Sequence, residues 1–135
     1  MKLLVIGSGM MGSAAAFDMA RSAQVESVTL ADVDDNRVKS AVKKINQLAR
    51  GKKVRAARLD ASKPKQAARL MRGHDGVLSA VPYFFNLGLC QAALESGCHF
   101  ADLGGNNAVV RKEYALARKG AKMGLAIAPD CGLSP

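Results

Sequence analysis

Residues 1–20 read MKLLVIGSGMMGSAAAFDMA, and the reading of this stretch decides the fold. An apolar run, KLLVI at 2–6, stops at Gly7, and Gly9 and Gly12 complete a G-x-G-x-x-G at the head of a helix-like segment over 10–23. Three glycines at this spacing also occur by chance, so their meaning rests on context: a strand before and a helix after. In that context each has its own task. Gly7 permits a tight turn, Gly9 lets backbone approach a pyrophosphate, and Gly12 lets the helix pack close to the strand. The phosphates would meet main-chain N–H groups at the positive end of the helix, those of Met10 and Met11 among them. Ser8, Met10 and Met11 therefore matter by position.

Outward from this stretch, apolar runs alternate with helix-like segments. The runs are SVTLAD at 27–32, KVRAARLD at 53–60, GVLSAV at 76–81, CHFADL at 98–103 and GLAIAP at 124–129. Several are nearly uninterrupted, as strands buried on both faces of a parallel sheet are. The segments between them, 34–49, 63–72, 84–96 and 107–121, have the length of crossover helices. Val38, Val42, Ile45 and Leu48 lie along one helical face with Lys and Arg opposite. Gly97 and Gly120 are expected to end helices in left-handed conformation. The alternation predicts right-handed crossovers in an α/β, doubly wound parallel six-stranded sheet of Rossmann type, order 3-2-1-4-5-6, as one domain over 1–135. A five-stranded flavodoxin-like wrap is the alternative.

Composition agrees with one folded domain: of 135 residues, 49% are hydrophobic and 23% charged. Met1 stands close before the first strand, and the expectation is that no domain precedes it. KLLVI has no basic leader and is too short for a signal-peptide core. The longest weakly polar stretch is interrupted by Pro82 and Asn86 and falls short of a membrane span. Cys90, Cys98 and Cys131 show no metal-ligand spacing, and their odd count predicts reduced thiols in a cytoplasmic protein.

The net charge of +9 is unevenly spread. Thirteen of the 20 Lys and Arg lie between Arg37 and Arg72, where Asp60 is the one acid. The plain reading is a solvated face, of a kind that an acidic partner surface would cover. The sharper ones are attraction of an anionic cofactor or of nucleic acid. Nucleic acid is disfavoured, because the segment holds no aromatic residue for a base to stack on.

The second test of the glycine pattern is an acid at the end of the second strand. Asp32 stands 20 residues after Gly12. Its carboxylate, with Val33 beside it, would hold the adenosine ribose hydroxyls and repel a 2′-phosphate, favouring NAD over NADP. Arg37 opposes that preference, since it could meet a 2′-phosphate, and NADP stays open. Strand ends supply the other expected contacts: Asp60 and Ala61 beside the adenine, and Ala80, Val81 and Pro82 on the nicotinamide side. Asp102 and Gly104, with Asp130 beyond, would reach toward the reacting end. Asp60 and Asp130 read as helix caps or solvated loop acids as readily as they read as site residues. His74 and His99 begin strands, at the opposite edge, and read as structural. Tyr83, Phe84 and Phe85 form either a core or interface packing cluster, or a wall beside the nicotinamide or a site that receives another domain. Cys131 has no identifiable base beside it.

Taken together, VIGSGMMG, VTLADVD, GHDGVLSAVPYFFN, ADLGG and PDCGLSP resemble the N-terminal cofactor domain of the saccharopine dehydrogenase-like oxidoreductases. Tyr83, Phe85 and Asn86 are similar to the lysine 6-dehydrogenase branch, whereas Pro82 and Phe84 depart from it. The resemblance implies hydride transfer between a nicotinamide and a carbon bearing an amine, with a small amine or amino acid as substrate. It also implies a substrate domain absent from this chain, so that catalysis is incomplete here; a homo-oligomer is compatible with it. The competing reading is a non-catalytic nucleotide-sensing domain, similar to those gating potassium transport. ADLGG argues against it, because a sensor needs no glycine-lined space beside the nicotinamide.

Overall fold

The computed structural model describes residues 1–132. Strand β1 (Lys2–Ile6) carries the logic of the fold in five residues: Leu4 and Ile6 enter one core cluster and Val5 the other. A strand whose two faces are both covered has no polar side to alternate with. Around it lie α1 (Met10–Arg21), β2 (Ser27–Asp32), α2 (Asp35–Leu48), β3 (Val54–Arg58), α3 (Pro64–Met71), β4 (Gly76–Ser79), a 3-10 turn (Tyr83–Phe85), α4 (Asn86–Ser96), β5 (His99–Asp102), α5 (Asn107–Lys122) and β6 (Ile127–Ala128). All pairings are parallel, in the order β3-β2-β1-β4-β5-β6. This is the doubly wound Rossmann arrangement that the strand–helix alternation predicts, and not the five-stranded wrap.

The two cores divide the helices. Ala16 and Ala20 of α1 and Val38 and Ile45 of α2 pack on Val5, Val28 and Leu30. On the opposite face, Ala67 and Met71 of α3 and Leu89 and Ala93 of α4 pack on Leu4, Ile6, Val77 and Phe100, with Leu116 of α5 at the margin. Register aligns the carboxyl ends: Ile6 lies opposite both Ala31 and Ser79, Asp32 opposite Arg58, and Ser79 opposite Asp102. Loops leaving these ends share one edge of the sheet, where open α/β sheets form their crevice.

Several local expectations change. Gly120 does not end a helix but lies inside α5, where an added Cβ would stand 3.1 Å from side-chain atoms of Ile127 and Leu94. Gly124 takes the left-handed turn instead, at φ 74°, while Gly97 caps α4 as expected, at φ 72°. Leu48 is exposed, because α2 ends there and the apolar stripe has run past the sheet. Strand β4 stops at Ser79 and β6 spans two residues, shorter than their apolar runs. His74 and His99 are structural, at the edge opposite the crevice. The His74 ring, whose pKa burial lowers, meets the Thr29 hydroxyl at 2.9 Å, and His99 Nδ1 accepts from the Ala126 N–H at 2.9 Å.

The basic segment maps to one side of the molecule. Strand β3 is a sheet edge and exposes Arg55 and Arg58, with the exposed lysines of α2 and the basic residues of α3 to either side. Charge on an edge strand opposes pairing with another chain. No helix among the described residues is long and apolar enough to cross a membrane. The last three residues of PDCGLSP lie outside the described residues.

Candidate functional site

The carboxyl ends of β1–β4 enclose an open cleft of about 260 Å³. Gly7, Gly9, Asp32, Val33, Asp60, Ala61, Ala80, Val81 and Pro82 line it, joined by Ile6, Arg37, Leu59 and Phe85. The structure therefore gathers most of the residues singled out from the sequence around one space. Phe85 supplies an aromatic wall from the turn after β4, while Tyr83 and Phe84 of the same cluster are exposed. Asn86 behind them is buried and accepts from the Ser79 hydroxyl at 2.8 Å, which ties α4 to the end of β4.

Each glycine of the motif meets a different constraint. Gly7 has φ 102°, and a Cβ there would stand 2.6 Å from the Ala80 carbonyl oxygen. Gly12 lies against the Gly7 carbonyl, so any side chain would collide with it. Gly9 has ordinary dihedrals, and an added Cβ would meet nothing within 4 Å. Its lack of a side chain keeps the space before α1 clear. Gly9 is also the N-cap of α1, with no side-chain cap, and no acid sits in the first turn. The orphan N–H groups and the helix dipole together make this end receptive to an anion. Met10 and Met11 project into solvent and contribute backbone only.

Asp32 closes the loop from the side. Its Oδ2 accepts from the Ser8 N–H and Ser8 hydroxyl, both at 2.7 Å, and Oδ1 accepts from the Asp34 N–H at 3.1 Å. The Arg37 guanidinium donates to both oxygens, at 2.9 and 3.2 Å. Burial alone would raise this carboxyl's pKa, but the Ser8, Asp34 and Arg37 hydrogen bonds outweigh it and hold it at about 2. Ser8, marked in the sequence by position alone, therefore acts through its side chain too: it fixes the acid to the glycine loop. Arg37 is held in turn by Asp34, which caps α2 by accepting from the Arg37 N–H at 3.0 Å.

The remaining strand-end acids differ in kind. Asp60 is engaged locally, accepting from the Ser62 hydroxyl at 2.6 Å and the Ser62 N–H at 3.0 Å. Asp102 and Gly104 do not line the cleft. The Asp102 carboxyl is fully buried and accepts from the Gly104 N–H at 2.6 Å and the Asp130 N–H at 3.1 Å, which binds the loops after β5 and β6 together. Asp130 takes a left-handed backbone at φ 62°, and Gly104 packs directly on its carboxylate. A Cβ added at Gly105 would stand 3.5 Å from the Tyr83 Cβ and 3.6 Å from its ring, so this assembly lies beside the aromatic turn.

Sequence reading missed Glu113. It is fully buried on α5, with neither carboxylate oxygen hydrogen-bonded, and burial followed by Asp102 and Asp130 raises its pKa to about 8. Its spacing carries the signal: Val110, Glu113 and Gly120 form the buried stripe of α5, three and seven residues apart.

Comparison with known proteins agrees with this geometry. The family model of the saccharopine dehydrogenase NADP-binding domain matches residues 3–127. Among solved structures, the L-Glu-forming saccharopine dehydrogenase of Saccharomyces cerevisiae superposes with a TM-score of 0.78 at 19% identity, over 99% of this chain and 28% of that one. An NAD-binding oxidoreductase of Klebsiella pneumoniae gives 0.67 at 18% identity, over 96% of this chain and 34% of that one. Quinate dehydrogenase of Corynebacterium glutamicum, solved in complex with NAD, gives 0.68 at 17% identity, over 93% and 43%. The chain thus spans less than half the length of these structures.

Proposed function

This chain belongs to the saccharopine dehydrogenase NADP-binding domain family, and on that premise we propose that it is the cofactor half of an amine or amino-acid dehydrogenase of lysine 6-dehydrogenase type. The observation that carries the reading is the uncapped end of α1, which opens at Gly9 onto clear space with Asp32 beside it. A dinucleotide needs backbone donors for its pyrophosphate and an acceptor for its ribose, and the cleft offers both in that order. When bound, the nicotinamide supplies a hydride acceptor or donor for the carbon bearing the amine. The chain's own residues bind and orient. The Gly7–Gly12 loop and the Met10 and Met11 amides hold the pyrophosphate. Asp32 and Val33 hold the adenosine ribose, Asp60 and Ala61 flank the adenine, and Ala80, Val81 and Pro82 lie on the nicotinamide side. Asp102 and Gly104 shape the loop beyond. Substrate positioning and the base that accepts the ammonium proton belong to a further domain in this reading, and the reduced thiols fit a cytoplasmic setting.

NAD is the preferred cofactor in this proposal. Asp32 is ionised throughout the ordinary pH range and would face a 2′-phosphate with its charge. Arg37 is already committed to that carboxylate, although its side chain is 57% exposed and free to swing toward a phosphate. Titration of the purified chain with NADH and with NADPH, by nicotinamide fluorescence at two salt concentrations, tests the reading. Tighter NADH binding with weak salt dependence is expected. Tighter NADPH binding would transfer the selecting role to Arg37, and no binding of either would remove the dehydrogenase reading.

A further inference from the structure

The most unusual chemistry outside the cleft is the pair of fully buried acids behind it. Glu113 lies on α5, which packs on α4 and β6, and the Asp102 side chain of β5 lies against its carboxyl. Both Glu113 oxygens lack a hydrogen-bond partner, and so does Asp102 Oδ2. The other Asp102 oxygen is fully used by the Gly104 and Asp130 N–H groups. Two ionised carboxylates accept only and repel, so neither can satisfy the other. A single proton between them turns one acid into a donor and satisfies the facing oxygens together.

We infer that Glu113 and Asp102 share one proton, held on Glu113 and donated to Asp102 Oδ2, and that Glu113 is thereby a positioning residue for the loops after β5 and β6. The ionised Asp102 keeps its second oxygen on the Gly104 and Asp130 N–H groups. Those two bonds hold Asp130 in its left-handed backbone and Gly104 against it. The carboxylates of Asp102 on β5 and Asp130 beyond β6 disfavour ionisation of Glu113, and the Cys90 thiol on α4, pushed up to about 12 by burial and then by Glu113 and Asp102, stays neutral and adds no opposing charge. Removing the proton would place two buried charges in contact, and the loops would separate to admit water. That these loops wall the nicotinamide end rests on the proposed function; the shared proton does not.

Side-chain carboxyl 13C NMR of the full chain without cofactor, followed from pH 5 to pH 10, tests the inference. Glu113 is expected to remain protonated at neutral pH and to titrate near 8, and the Gly104 and Asp130 amide shifts to move with the same midpoint. Glu113→Gln, which keeps a donor but cannot ionise, is expected to abolish that step and leave both amides at their low-pH positions. A Glu113 carboxyl already ionised at pH 6 would overturn the inference, as would Gly104 and Asp130 amides that ignore the step or still show it in Glu113→Gln. The unmodified chain alone decides the first point if the variant folds poorly. Repeating the NADH titration below and above the midpoint reads the link to the site. Affinity that falls several-fold at high pH in the unmodified chain but not in Glu113→Gln supports it, and equal affinity overturns the positioning role. Failure to bind NADH at any pH would remove the functional reading while the carboxyl titration still stood.

Discussion

At Gly9 the absence of one side chain separates binding from folding. Its dihedrals are ordinary and its surroundings empty, so Gly9→Val is expected to melt within a few degrees of the unmodified chain yet lose NADH binding by at least tenfold. Wild-type affinity in that variant, measured by nicotinamide fluorescence, would remove the loop from the phosphate site. Gly12 is the converse: a Cβ would strike the Gly7 carbonyl, so Gly12→Ala should lower stability by roughly 1–3 kcal/mol in denaturant titration, as overpacking does. Asp32→Ser is expected to narrow the ratio of NADH to NADPH affinity by tenfold or more, and an unmoved ratio would end its ribose role. Arg37→Ala, compared in the same titrations, should weaken NADPH more than NADH, because it removes the guanidinium that reaches Asp32 within the cleft. The glycines and Asp32 were legible in the sequence because their roles are set by backbone and by spacing along two strands. Ser8 was not, since a hydroxyl that holds an acid 24 residues away acquires meaning only through tertiary contact, and the spacing of Glu113 along α5 marks its burial but not the acids it faces.

Among the elements, legibility followed burial. Strands β1 and β2 are apolar runs covered on both faces and begin and end where the sequence predicts, at Lys2–Ile6 and Ser27–Asp32. Strand β6, at the far edge, pairs only through Ile127 and Ala128, so its apolar run overstates it. The error at Gly120 has the same origin: a glycine near a helix end looks like a cap until packing requires closeness to Ile127 and Leu94. Helix α2 joins element to site. Its cap, Asp34, accepts from the N–H of the same Arg37 whose guanidinium holds Asp32. Asp34→Ala should therefore cost about 1 kcal/mol of stability, the usual worth of such a cap. It should also loosen Arg37, seen as increased amide exchange at the start of α2, with NADH affinity changed less than by Asp32→Ser. Unchanged stability would mean that the dipole and water satisfy that end without the aspartate.

Across the whole molecule, the doubly wound order places two buried acids under opposite demands, one in each half of the sheet. Asp32 sits at the end of β2 among donors, and Glu113 sits beneath the end of β5 among acids. Their pH dependences follow with opposite sign. The folded pKa of Asp32 lies near 2, below its ordinary 3.8, so the folded state gives up this proton more readily than the unfolded chain does. That stability is present above about 3.8 and is lost as pH falls toward 2. The folded pKa of Glu113 lies near 8, above its ordinary 4.5, so the folded state retains a proton that the unfolded chain releases. This costs nothing below about 4.5 and erodes stability progressively as pH rises to 8, beyond which the loss is complete. For these two groups together, the chain is expected to be most stable near pH 4 to 5, lower than the usual optimum of about 5–8 for folded proteins. Urea titrations from pH 2 to pH 9 in the absence of cofactor check this. Glu113→Gln should flatten the decline between pH 5 and 8 and leave the acid limb in place, while Asp32→Ser should remove part of the acid limb alone. A decline toward pH 8 that persists in Glu113→Gln would assign it to other groups, and separate responses would show that the two halves of the sheet carry independent charge sites.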